Sequence, residues 1–188
     1  VHDLIREFLV RSIDDQTKQS VHSNCALYYS KLSKSSETTL EQIYHELASE
    51  HEQEAIEKIV EFGRQLVSQG HLELLSLIES VNLERLQPSL MAPMMQLQGD
   101  ILLMLGRFDQ ATEIFYTASN AAKEAKLPGV YSEILGSQAD IAMKQGQTDK
   151  ALSAHKEALE VQVELGDAKG AARTYNNMGY LYRRKNDR

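Results

Sequence analysis

A segment of fourteen residues recurs after forty. Gln98 to Ala111 and Gln138 to Ala151 share Gln98/Gln138, Asp100/Asp140, Ile101/Ile141, Gly106/Gly146, Asp109/Asp149 and Ala111/Ala151. Background composition would give about one identity in such a window. The next step of forty reaches Gly179 and Leu181, with Asn186 standing where Gly106 and Gly146 stood. A period of this length means stacked supersecondary units, because one such unit cannot bury its apolar face alone. The units should be helical. Alanine, leucine, glutamate, glutamine and lysine dominate, prolines number only three, and no run alternates with period two.

Each repeated position has a physical task. A small residue (Gly99, Ala139, Gly179) falls in mid-helix, where glycine costs about 1 kcal/mol relative to alanine. That cost makes sense if a neighbouring helix packs on the bare backbone, so Gly99 and Gly179 are expected against a neighbour. Gly106 and Gly146 should end the first helix of each unit in a left-handed conformation, and Asn186 tolerates the same one. Ala111, Phe115 and Ala118 should form the buried face of the second helix, as should Ala151, His155 and Ala158.

A small residue, a glycine seven later, an alanine five beyond, then a large residue and another alanine: this order resembles the tetratricopeptide repeat. The period is forty where that family has about 34, so the helices should be longer. Thr148 departs from the aromatic that Phe108 supplies, and His155 replaces a large apolar residue. The resemblance implies an all-α fold, a right-handed α-solenoid of helical pairs whose first helices line a concave face. The inward rows would be Gln96, Gly136 and Asn176; Asp100, Asp140 and Tyr180; and Met104, Lys144 and Arg184. Such a groove runs from acidic to basic. Asp100 and Asp140 stand where a carboxylate clamp needs an amide or a cation, so an acidic C-terminal peptide is not expected there.

A degenerate unit precedes these. Gly63, Leu66, Gly70, Leu72 and Leu75 repeat the spacing at a shift of 36. Leu40, Ile43, Tyr44 and Leu47 form one stripe. Ala55, Ile56, Ile59, Val60 and Gly63 form another. Thr38 and Glu41 read as a capping box, with Ser33 to Thr39 as a linker. Upstream, Asp3 can cap a helix bearing Ile5, Phe8 and Leu9. Asp14 or Asp15 can cap a second, with Val21, Cys25, Tyr28, Tyr29 and Leu32 on one face. Cys25 then reads as a small core residue.

The opening "VHDLIREFL" and the following "HSNCALYYSKL" resemble the end of the winged-helix region in STAND-type signalling ATPases. That family includes plant resistance proteins and bacterial regulators similar to the maltose-regulon activator. The resemblance covers about the first ninety residues and gives three regions: 1–34, the helical tail of a winged-helix domain; 35–87, degenerate helical repeats; and 88–188, tetratricopeptide-like repeats, the last truncated. It implies that His2 and Asp3 sense nucleotide in the intact protein only. Alternatively, His2 and Asp3 simply begin a helix. No G-x-x-x-x-G-K-[ST] occurs, so this chain holds no phosphate cradle. The implied function is a non-catalytic sensor segment that binds a protein or small-molecule inducer on the concave face. The alternative is a free-standing tetratricopeptide adaptor.

Other chemistry is sparse. His45-Glu46 and His51-Glu52 are six apart, not the four of a zinc-protease helix, and read as solvated surface. No Cys/His cluster suggests a metal, and no cofactor or catalytic group is expected. The net charge of −7 argues against direct nucleic-acid binding. Arg183, Arg184, Lys185 and Arg188 suit a helix end. No apolar run reaches membrane-spanning length. With Cys25 the only cysteine, a reducing cytoplasm is the expected compartment. Tyr175, Met178, Gly179 and Tyr182 lie on one stripe of the last helix, so the chain is expected to form a homodimer through that end or to fray there.

Overall fold

The computed structural model describes residues 13–186, and they are helical with no strand among them. The triplet Val1-His2-Asp3 and the helix proposed for Ile5, Phe8 and Leu9 lie outside the described residues. The chain divides into two compact units, Val1–Val81 and Asn82–Arg188.

The first unit holds α1 (Asp15–Ser30), α2 (Ser36–Leu47), α3 (Glu52–Ser68) and α4 (Leu74–Ser80). Asp14 caps α1, its carboxylate accepting the backbone N–H of Thr17 at 2.8 Å and the Thr17 hydroxyl at 2.7 Å. The capping box of α2 is Ser35 with Thr38, not Thr38 with Glu41. The run from Ser33 to Thr39 offers several caps, and Ser35 starts the helix earlier than the Glu41 pattern implies. The core is built by Ile43 of α2, Ala55, Ile56, Ile59 and Leu66 of α3, and Leu74 and Ile78 of α4.

Helix α1 is more shallowly seated than its apolar residues suggest. It buries only Ala26. Val21, Tyr28 and Leu32 are exposed, and Cys25 is half-buried. The seam with α2 instead follows His22 and Tyr29. The His22 and His45 Nδ1 atoms are 2.8 Å apart, and the His45 ring stacks on Tyr29 with centroids 5.6 Å apart. His45 is therefore covered by rings, contrary to the surface reading. Glu46 is buried too, because Lys58 of α3 reaches its Oε1 at 3.0 Å and Gln42 donates to it at 2.7 Å. His51 and Glu52 are exposed.

The second unit is a regular stack. After a turn of 3₁₀ helix (Leu83–Arg85) come α5 (Pro88–Met104), α6 (Phe108–Glu124), α7 (Pro128–Lys144), α8 (Thr148–Glu164) and α9 (Ala168–Asn186). The first four have 17 residues each. Every helix starts twenty residues after the one before, so the pair repeats at forty.

The turns explain the regularity. Gly106, Gly146 and Gly166 have φ of 74°, 74° and 68°. At the first, the Gly106 N–H donates to the Leu103 carbonyl at 3.1 Å and the Arg107 N–H to Leu102 at 2.9 Å. That double bond pattern satisfies the orphan carbonyls of the helix end and reverses the chain within three residues. Lys126 makes the same turn with φ of 54°, a conformation that costs an L-residue about 1–2 kcal/mol. Asn186 departs from the pattern: it remains helical, and α9 continues through the position where α5 and α7 stop.

Burial repeats with the sequence. Ala111, Phe115 and Ala118 are fully buried, as are Ala151 and Ala158, with His155 at 2% exposure. A Cβ at Gly99 would lie 2.5 Å from Cε1 of Phe115. In the next repeat Ala139 has a Cβ, and the smaller ring of His155 stands at the position of Phe115. Gly179 does not follow. A Cβ there would meet nothing within 4 Å. The counterpart of Phe115 and His155 falls sixteen residues on, past Arg188.

Gly99→Ala should therefore destabilise the chain by about 1–3 kcal/mol through overpacking, despite the higher helix propensity of alanine. Adding Phe115→Leu should recover part of that loss, giving a favourable coupling in a urea-unfolding double-mutant cycle. Additive losses would show that the two side chains do not compete for the same space.

Candidate functional site

First helices α5, α7 and α9 carry the rows expected to face inward. Direct hydrogen bonds join α5 to α7: Gln96 Nε2 donates to Glu133 Oε2 at 3.1 Å, and Ser137 Oγ donates to Asp100 Oδ1 at 2.7 Å. Both pairs are 37 residues apart, not forty. Adjacent first helices meet at that offset, because each sits a little along its neighbour.

The first row is therefore not a uniform ligand surface. Gln96 is only 3% exposed and belongs to the lock between repeats. Asp100 is half-buried in the same lock. Gly136 is half-buried and Asn176 is exposed. In the second row Asp140 is half-buried and Tyr180 is 48% exposed. In the third, Met104 is 58% exposed, Lys144 is exposed and Arg184 half-buried. The Lys144 ammonium lies 5.9 Å from the centre of the Phe108 ring, within cation–π range. The rows open toward their α9 end and toward the C-terminal ends of α5 and α7, and they close at Gln96 and Asp100.

Asp140 marks the electrostatic centre. Burial pushes its carboxyl above the ordinary value, while His155, Lys144 and Arg173 pull it back down. Burial likewise holds the His155 imidazole below its ordinary value, opposed by Asp140. The His155 Nδ1 is buried without a hydrogen-bond partner. A neutral imidazole in the place of a Phe fills space, and protonating it puts a charge into that core.

Three contributors escape a reading by steps of forty. Glu133 and Ser137 complete the lock, and the charge of Arg173 helps to lower the carboxyl of Asp140. The signal for the first two was a complementary polar pair at an offset of 37. A further tie joins α7 to both α8 and α6. The Tyr131 hydroxyl donates to Glu157, and Lys123 lies 4.5 Å over the Tyr131 ring. Among the described residues no group of three or more His, Cys, Asp or Glu is placed to hold a metal ion, and no helix is long and apolar enough to cross a membrane.

This geometry defines a class: an all-α solenoid of antiparallel helical pairs. Residues 131–188 match the family described as tetratricopeptide repeat. The chain is similar in structure to BtubC (BKLC) from P. vanneervenii, with a TM-score of 0.54 and 19% identity. That similarity covers 93% of this chain and 68% of the other. At that identity the likeness shows the fold alone. No curated protein matches. Repeats of this type form interaction modules.

The buried His155 and the half-buried Asp140 have opposite pH signatures. The folded pKa of His155 is lowered, so its contribution is intact above the ordinary value of 6.5 and is lost as pH falls below it. The folded pKa of Asp140 is raised, so its contribution is best below 3.8 and is lost as pH rises through the folded value. Urea midpoints from pH 4 to 8 should show that His155→Leu reduces the loss on acidification. Asp140→Asn should reduce the opposing trend. Unchanged profiles in both variants would contradict the burial of these groups.

Proposed function

We propose that the chain is a non-catalytic binding segment. It takes a protein or small-molecule inducer along the inward rows and passes the signal on as the sensor of a cytoplasmic STAND-type regulator. The observation that carries the binding reading is the uneven closure of the rows. Hydrogen bonds between repeats occupy Gln96 and Asp100, while Met104, Lys144, Asn176 and Tyr180 remain exposed. A ligand on the open stretch would touch more than one repeat and shift their relative packing. Arg184 supplies a cation at the α9 end of the groove, and Asp140 a carboxylate one repeat before it.

The regulator context is supported by residues at the other end of the sequence. His2 and Asp3 stand in the triplet that resembles the close of a nucleotide-binding module, and the helix with Tyr28 and Tyr29 follows in the expected order. There His2 would approach the nucleotide phosphates in the resting state of the intact protein. A free-standing adaptor would use the same inward rows without His2 and Asp3 having any such role.

Two results are expected. The coding sequence ahead of Val1 should contain a G-x-x-x-x-G-K-[ST] phosphate-binding motif, and His2→Ala in the intact protein should raise basal output. The double change Asn176→Ala and Tyr180→Ala should weaken the response to inducer about tenfold without shifting the melting temperature. A start codon directly ahead of Val1 would leave the adaptor reading in place. An unchanged response would remove the inward rows as the binding face.

A further inference from the structure

A groove of about 660 Å³ runs between second helices α6 and α8, over the C-terminal half of α7. Its floor is apolar: Ile141 and Ala142 of α7 are buried, and Ala154 of α8 is half-buried. Its walls are charged. Asp109, Glu113 and Tyr116 stand along α6, and Lys150 lines the α8 side, all of them exposed. Helix α6 is packed between α5 and α7, and α8 between α7 and α9, so both walls are seated. None of the lining residues belongs to the inward rows, and the groove stands or falls apart from them.

The acids of the α6 wall are unbalanced. Asp109 and Glu113 are four residues apart, side by side on one helical face, where like charges repel. Neither makes an ion pair among the described residues. The next repeat shows what this position accepts. Asp149 stands forty residues after Asp109 and takes the Lys185 ammonium at 2.6 Å. The counterpart of Lys185 is Gln145, which lines the groove and carries no charge. The chain therefore answers Asp149 from within and leaves Asp109 unanswered. Two further departures sharpen the contrast. Glu113 stands where the next repeat has Ser153, and Tyr116, 69% exposed, stands where it has Lys156. Relative to the next interval, this one lacks two cations and adds a carboxylate and a ring.

Charge and shape select the occupant. A lysine or arginine side chain can lay its alkyl stem over Ile141 and Ala154. Its cation then reaches Asp109 and Glu113 beside the Tyr116 ring, whose face attracts cations. A free small molecule would be poorly covered, because the walls are exposed and small-ligand sites enclose most of their ligand. A chain segment laid along the groove covers Asp109, Tyr116 and Lys150 together. We propose that the groove between α6 and α8 docks a basic segment of another protein, with one lysine or arginine between Asp109 and Glu113 and a neighbouring acid against Lys150. Gln145 keeps the site open, since a lysine there would occupy Asp109 as Lys185 occupies Asp149.

The probe is an end-blocked pentapeptide with a central arginine, a leucine on each side of it and a terminal glutamate. A second peptide has norleucine at the centre. Each is titrated into the isotope-labelled 188-residue chain and followed by amide NMR. The arginine peptide should shift amides of residues 109–116 and 138–145, with affinity falling as salt rises. Norleucine at the centre should weaken binding about fivefold or more. In the protein, the surface changes Glu113→Gln and Tyr116→Ala should each weaken the arginine peptide by a similar factor without moving the melting temperature. Gln145→Lys should abolish binding and leave the melting temperature unchanged or raised, because the chain then supplies its own cation. No shift in the groove at millimolar arginine peptide would overturn the proposal. So would equal binding of the norleucine peptide, or binding indifferent to Gln145→Lys. Free arginine or diaminopentane binding as tightly as the peptide would assign the groove to a small amine and overturn it equally.

Discussion

The ring of Phe115 rests on the bare backbone of Gly99, and the first helical pair of the second unit is organised around that contact. A helix pair closes only if its axes come close enough to exclude water. In the next pair Ala139 and His155, both buried, hold the corresponding positions, a larger small residue with a smaller ring. The remaining alanines of the second helices, Ala111, Ala118, Ala151 and Ala158, keep the approach close along the rest of the seam. The left-handed turns at Gly106 and Gly146 then fix where the second helix begins, so that the ring arrives over the small residue.

Function follows from what this contact leaves uncovered. Pairing consumes one face of each first helix, and stacking against the next pair consumes another. The inward rows remain, and the Gln96–Glu133 and Asp100–Ser137 bonds close part of them. What is left is a polar row with Asp140 and Lys144, and each repeat contacts only its neighbours, so this row can change without repacking the pairing faces.

Much of this was legible in the sequence. The forty-residue identities located the helices of the second unit and their turns, because a left-handed glycine and a mid-helix glycine each have few physical explanations. The inward rows were legible as rows, but the burial of Gln96 was not, since it depends on an offset of 37 that a forty-step reading cannot show. Gly179 looked like Gly99 in sequence and differs in space, because its meaning lies in the helix opposite. In the first unit the stripes of α2 and α3 were clear. His45 and Glu46 were not, because their burial depends on Tyr29, His22 and Lys58, which come from other helices. The seam of α1 runs along histidine and tyrosine, residues whose pattern does not separate an inner face from an outer one.

The central claim is that closure of the small-residue face by a following helix holds each first helix in place. Native-state hydrogen exchange tests it residue by residue. The amides from Gly99 to Leu102 and from Ala139 to Ala142 should share the highest protection in the second unit. The amides from Tyr175 to Tyr182 should open with a distinctly smaller free energy, although α9 is the longest of the five helices. Equal protection in α5, α7 and α9 would contradict the account, because it would mean that the face over Gly179 needs no cover to hold its helix.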